Sequence, residues 1–222
     1  MRVLLISANT EQINMPVLPL GLAYVAAAAD TQGHTVKMLN LMMQTDAQKA
    51  LTAAIVDFNP EIIGISVRNI DDQKMENPRF LLGSVKEVVA QCRKQSNATI
   101  ILGGAGFSIF PQATLDFLGA DIGIQGEGEN SFLTLLERLR DKMDISEIPG
   151  LCLPGRTSRS ESAPNENLND VMMPLPVVHL LTPSVLEGKE VWIPFQTRRG
   201  CPLDCSYCST ATIEGRTIRK HD

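Results

Sequence analysis

Apolar and polar positions follow two rhythms over residues 1–153. Strand-like segments fall at residues 3–7, 36–41, 62–67, 99–102 and 121–124, of which 3–7 and 62–67 are continuous apolar runs. Their lengths predict strands, and a continuous apolar run such as 3–7 predicts a strand covered on both faces. Between them lie longer segments of helical composition or spacing. Residues 18–31 carry Ala26 to Ala29 at their centre. Asp46 stands as N-cap of a segment running to about Phe58. Residues 80–95 place Leu81, Val85, Val88 and Val89 at helical spacing, residues 111–117 form a short helix, and Glu129 or Asn130 opens a last one reaching about Lys142. Gly33-His34 marks a turn, Pro60 closes a connection, and residues 150–153 read as a further strand.

Five β-α repeats imply a parallel sheet with helices on both faces, a doubly wound α/β fold of Rossmann-like, flavodoxin type. Ligands of such sheets bind at the carboxyl ends of the strands. The loops that matter are therefore residues 8–17, 68–79, 103–110 and 125–129. Gly103, Gly104 and Gly106 follow the fourth strand, and Gly126 and Gly128 the fifth, so backbone can approach a ligand closely there. Ser66 ends the third strand with a hydroxyl. The same glycines also serve tight β-α turns. After residue 153 the composition changes. Residues 154–169 are rich in Ser, Arg, Glu and Asn and read as an exposed linker. Residues 170–188 carry Pro174, Pro176 and Pro183 and read as an irregular connector. Residues 191–197 read as a strand leading into a cysteine loop. The expected organisation is thus a domain over 1–153, a linker over 154–190 and a second unit starting at 191.

Composition removes several function classes. The chain has 222 residues, 20% of them charged, and a net charge of −5, with no long basic run to bind nucleic acid. No apolar run reaches the ~18 residues of a membrane span, and the start is too short for an export signal. A cytoplasmic protein with reduced cysteines is expected. Cys92 and Cys152 stand alone and are expected to pack as small buried hydrophobes.

The other three cysteines crowd together as Gly200-Cys201-Pro202-Leu203-Asp204-Cys205-Ser206-Tyr207-Cys208. Thiolates at C-x3-C-x2-C spacing can cap one face of an iron–sulfur cubane and leave its fourth iron open. A zinc site completed by His221, or three unliganded thiols, are the competing readings. Cys201-x3-Cys205-x-Tyr207-Cys208, with its lead-in Thr197-Arg198-Arg199-Gly200, resembles the radical S-adenosylmethionine (SAM) signature. The resemblance implies a [4Fe-4S] cluster on Cys201, Cys205 and Cys208, SAM chelating the open iron, and Tyr207 near the adenine. It also implies the first strand and cluster loop of a TIM-type barrel. A full barrel takes roughly 250 residues, and 14 residues follow Cys208. The chain by itself is therefore expected to be an inactive front portion, with an ordered first domain and an empty cluster site.

The first domain resembles the cobalamin-binding domain of cobalamin-dependent radical SAM enzymes. The likeness rests on Pro19-Leu20-Gly21-Leu22-Ala23-Tyr24-Val25-Ala26, Pro60-Glu61-Ile62-Ile63-Gly64-Ile65-Ser66, Leu102-Gly103-Gly104-Ala105 and Gly126-Glu127-Gly128-Glu129. It implies that Ser66, Gly103, Gly104, Gly106, Gly126, Glu127 and Gly128 hold the corrin rim and nucleotide tail. Arg68 and Asn69 would meet the corrin amides. Many cobalamin domains carry D-x-H-x-x-G, whose His ligates cobalt. Aligned on Gly21, Pro16 takes the Asp position and Leu18 the His position, and His34 lies at the wrong end of the sheet. Cobalamin bound here would be base-off with no protein histidine. The implied reaction is methyl transfer to an unactivated centre of a small-molecule or peptide substrate, with an electron donor such as flavodoxin or ferredoxin. The alternative is a non-catalytic cobalamin-binding or interaction module. A dinucleotide site is excluded by the missing G-x-G-x-x-G after the first strand. A methylthiolating enzyme would need three further cysteines in the front domain, where Cys92 and Cys152 are too few.

Overall fold

The computed structural model describes residues 1–11, 18–72, 74–156, 168 and 194–220. Its main sheet runs β2-β1-β3-β4-β5-β6. The strands are β1 (Arg2–Ser7), β2 (Thr35–Asn40), β3 (Ile62–Ser66), β4 (Thr99–Gly103), β5 (Ile122–Ile124) and β6 (Leu151–Cys152). β1 to β5 are mutually parallel. β6 departs from the expected pattern, pairing antiparallel with β5 at the edge.

The pleat sends alternate residues of each strand into two different apolar layers. Leu4, Ile6, Ile63, Ile65, Ile100 and Leu102 face α2 (Ala47–Phe58), α3 (Leu82–Gln95), α4 (Ala105–Ile109) and α5 (Pro111–Leu118). Val3, Leu5, Ile62, Ile101, Ile122 and Ile124 face α1 (Leu20–Thr31) and α6 (Glu129–Arg140). Both lone cysteines are fully buried as expected, and burial pushes the Cys92 thiol up to about 12. Asp46 caps α2, its Oδ1 accepting from Lys49 N at 3.0 Å.

Three departures have local causes. α1 begins at Leu20, because the residue before Pro19 is pushed away from helical backbone. Ala105–Ile109 is a helix, not a loop; glycines at 103, 104 and 106 mask it in the sequence. No strand forms over residues 194–197, while 191–193 lie outside the described residues. Instead a two-residue hairpin closes around the cysteine loop: β7 (Arg198–Arg199) pairs antiparallel with β8 (Arg219–Lys220), and α7 (Thr210–Glu214) lies between them. The expected linker and connector lie outside the described residues, apart from 154–156 and Leu168. Leu168 is fully buried against Tyr24 and Leu20, so that position is not solvent-exposed.

Because β1 sits between β2 and β3, the chain reverses its direction of sheet growth there. The crevice at the carboxyl ends beside β1 and β3 is the place such a sheet offers a ligand.

Candidate cofactor cavity

The loops after β3, β4 and β5 are tied to one another before any ligand is considered. Val67 N donates to Gly103 O at 2.8 Å, and Gly106 N donates to Val67 O at 2.9 Å. Ser108, fully buried, donates from Oγ to Gly104 O and accepts from Gly126 N, each at 2.9 Å. Gly104 has φ +99° and ψ 170°, a conformation open to glycine alone. A Cβ there would stand 2.7 Å from Val67 O and 2.9 Å from Ser66 Oγ.

Above this floor opens a cavity of about 500 Å³. Its mouth is formed by Ser7, Asn9, Leu18, Ser66, Arg68, Gly103, Gly104, Gly126, Glu127 and Gly128. Its depth runs between the sheet and the α1/α6 layer, past Leu5, Gly64, Ile101, Val25 and Phe132. Gly64 lies close against Leu5 in that slot: a Cβ would meet Leu5 Cδ2 at 2.6 Å and the Phe132 ring at 3.9 Å. A polar, glycine-lined mouth over an apolar slot suits a broad ligand with a narrow tail.

Eight of the predicted cofactor residues, Leu18, Ser66, Arg68, Gly103, Gly104, Gly126, Glu127 and Gly128, line this cavity. Three do not. Asn69 lines a separate small crevice beside Ala8 and Glu11. Gly106 is used for packing, since a Cβ there would stand 2.9 Å from Arg68 O. Tyr207 is 91% exposed and stands outside the cavity. No histidine among the described residues lines it. His34 lies at the amino end of the sheet, its Nδ1 3.3 Å from the Met1 amine. Pro16 and Val17 lie outside the described residues.

The segments entering and leaving the cysteine loop line the same cavity through Pro194, Gln196, Arg199, Ile213 and Glu214. Buried charges fasten them there. Arg199 donates from Nη2 to Glu129 Oε1 at 2.7 Å and from Nε to Gln196 Oε1 at 3.0 Å. Its Nη1 is 3.3 Å from Glu127 Oε2, and its guanidinium lies 5.0 Å over the Tyr24 ring. Arg219 Nη2 is 2.7 Å from Glu127 Oε1. Burial disfavours the charge on Arg199, but Glu129, Glu127 and Tyr24 outweigh it and raise its pKa. Burial also pushes the Tyr24 phenol up, against the pull of Arg199.

The cysteine loop hangs from this anchorage. Cys201 N donates to Gly215 O at 3.0 Å, Gly200 N to Glu214 Oε2 at 3.0 Å, and Cys208 N to Cys205 O at 3.1 Å. Cys201 and Cys205 are half-buried and Cys208 exposed. Hydrogen bonding with Thr210 holds the Cys208 thiol below its usual range. The donor set, three soft sulfurs on one loop, fits an iron–sulfur cluster. The thiols are not gathered: among the described residues no three His, Cys, Asp or Glu side chains form a metal-holding group.

Gly64, Gln196, Arg199 and Glu129 are the site residues that pattern-reading passed over as such. A glycine inside an apolar strand run was the available signal for Gly64. Charge pairing between residues 70 apart leaves no local signal.

A family described as the B12 binding domain matches residues 6–136. The tryptophan 2-C-methyltransferase of Streptomyces laurentii is 29% identical over 157 residues, covering 68% of this chain and 26% of that protein. The cytidylyl-2-hydroxyethylphosphonate methyltransferase of Streptomyces wedmorensis is 25% identical over 251 residues, covering 91% and 46%. In fold, the chain resembles the radical SAM methyltransferase TsrM of Kitasatospora setae, solved with cobalamin and a [4Fe-4S] cluster. The TM-score is 0.75 at 21% identity, over 100% of this chain and 43% of that one. The cobalamin-dependent SAM radical enzyme OxsB, solved with aqua-cobalamin, gives 0.76 at 16% identity, over 100% and 30%. The chain thus spans less than half the length of each of these proteins. No helix among the described residues is long and apolar enough to cross a membrane.

Proposed function

The chain belongs to the B12-binding domain family, and from that premise we propose that it is the corrinoid-binding front portion of a cobalamin-dependent radical SAM methyltransferase. The observation that carries this reading is one cavity lined both by the glycine loops of the sheet and by the segments flanking Cys201, Cys205 and Cys208. A corrinoid held there would carry the methyl group, and a [4Fe-4S] cluster on the three cysteines would supply the electron that opens SAM.

The chain's own residues have definable tasks. The Gly103-Gly104 and Gly126–Gly128 loops present backbone, not side chains, to the corrin edge. The apolar slot past Gly64 would exclude water from a nucleotide tail bound there. Leu18, which lines the cavity where a ligating imidazole is expected in other cobalamin domains, would supply no nitrogen to a bound corrinoid. Ser66 and Arg68 supply polar contacts at the mouth.

Titration of hydroxocobalamin into the 222-residue chain tests this. Saturable binding is expected, with a base-off visible spectrum. The reduced cob(II)alamin form should give an electron paramagnetic resonance spectrum without axial nitrogen splitting. Absence of binding sinks the proposal, and a nitrogen splitting sinks the assignment of Leu18.

A further inference from the structure

Arg199 ends β7 and stands two residues before Cys201, and it is buried with 5% of its surface exposed. Directly opposite in the hairpin stands Arg219, also buried. Two like charges facing each other in a strand pair repel, and burial removes the water that would screen them. The hairpin closes because Glu127 enters between them, Oε2 toward Arg199 and Oε1 toward Arg219. Glu129 takes the other edge of the Arg199 guanidinium, from the first turn of α6, where the helix dipole favours a carboxylate. Gln196 Oε1 takes Nε and the Tyr24 ring takes the flat face. Only a planar fork with several donors can satisfy all four neighbours at once; a lysine ammonium cannot.

β7 and β8 are two residues each, too short to fix the loop by themselves. The start of the cysteine loop is therefore placed by the cavity rim. Glu127 belongs to that rim, and so do Gln196 and Arg199 themselves. We propose that Arg199, gripped by Glu127 and Glu129, is a positioning residue that sets the cysteine loop at a fixed place over the cofactor cavity. Filling the cavity and docking the loop then strengthen each other, as linkage requires of two events that share contacts. This coupling rests on the corrinoid reading above; the lock itself does not.

Hydrogen exchange of the 222-residue chain, with and without hydroxocobalamin, gives the test, using Arg199→Lys and Glu129→Gln. Without cobalamin, amides of Arg198–Arg199 and Arg219–Lys220 are expected to exchange at least about 100-fold faster in both variants, because one buried charge loses its partner. Amides of β1 and β3 should not change, which separates undocking from misfolding. If either variant fails to fold, Glu127→Gln replaces it. Cobalamin should slow exchange of the hairpin in the wild-type chain.

A placement readout completes the test. With Cys201→Ser and Cys205→Ser, a nitroxide on Cys208 and cob(II)alamin in the cavity should give a narrow distance distribution. Arg199→Lys should broaden it, even at saturating cobalamin. Unchanged hairpin exchange in both variants, or an equally narrow distribution in Arg199→Lys, overturns the proposal. If cobalamin binds no form of the chain, the corrinoid reading falls and the cobalamin-free exchange alone decides the lock.

Discussion

The rim loops after β3, β4 and β5 hold one another through backbone groups, with Ser108 bridging Gly104 O and Gly126 N. The cysteine arm, residues 194–220, holds to the same rim through buried side-chain charge, Arg199 and Arg219 on Glu127 and Glu129. Both regions border one cavity, yet they fail differently. A floor made of sheet hydrogen bonds and close glycine packing is stable only as part of the whole domain. A clasp of buried ions contributes little net stability against water, but it is intolerant of losing one member, at about 3–5 kcal/mol for a broken pair. The floor is thus built for permanence, and the arm for a specific place.

The largest effect should follow from breaking the floor. Gly104→Ala puts a Cβ 2.7 Å from Val67 O in a backbone region that other residues do not occupy. A loss of about 3 kcal/mol or more is expected. It would appear in urea unfolding as a lower midpoint for the whole sheet. If the arm alone loosened, floor and arm would not be separable in the way described.

The counterpart in the arm is Gly200, φ +88°, where a Cβ would collide with Thr217 O. Gly200→Ala is expected to open the β7–β8 hairpin and leave the urea midpoint of the sheet nearly where it was. Trypsin should then cut at Arg198, Arg199 or Arg219 in the folded protein. Resistance equal to wild type would show that the hairpin does not depend on that close approach.

The two regions also differ in how far the sequence announces them. The inner strands β1 and β3 are visible as apolar runs, because strands covered on both faces must be apolar throughout, whereas the edge strand β2 alternates, with Val36, Met38 and Asn40 buried. The floor glycines are visible too, since Gly103-Gly104 and Gly126-x-Gly128 follow strands where a ligand-binding sheet needs them. Their division of labour is not: Gly104 and Gly106 read alike, but one lines the cavity and the other packs on Arg68 O. The cysteines are legible as a spacing. The clasp is not, because Glu127 reads as part of a glycine loop, Glu129 as the opening of a helix and Arg199 as part of the lead-in to the cysteines. Their role appears only when the hairpin brings residues 70 positions apart within 2.7 Å.

A smaller effect should come from narrowing the slot without touching either rim. Gly64→Val adds a branched side chain against Leu5 and Phe132 in the middle of β3. An overpacking cost of about 1–3 kcal/mol is expected, with cobalamin affinity falling further than stability, by at least about tenfold. Isothermal titration alongside urea unfolding separates the two. Affinity unchanged at full folding would mean that the tail does not enter between sheet and helices.

The smallest effect lies at the opposite pole and tests whether the regions respond separately. His34 is buried at the amino end of the sheet, and its pKa is lowered from 6.5 by burial first, then by the Met1 amine and Arg140, against Glu137. A base with a depressed folded pKa takes up its proton more readily when unfolded. Its contribution to stability is therefore full above about pH 6.5 and declines as pH falls through the folded value. His34→Gln should flatten that decline, measured as the urea midpoint at successive pH values. Exchange at β1 and β2 should follow the wild-type decline, whereas hairpin exchange at Arg199 and Arg219 should not, since the hairpin lies at the carboxyl end of the sheet, away from His34. If hairpin exchange tracked the His34 curve, arm and sheet would open as one unit, and the division between a permanent floor and a placed arm would fail.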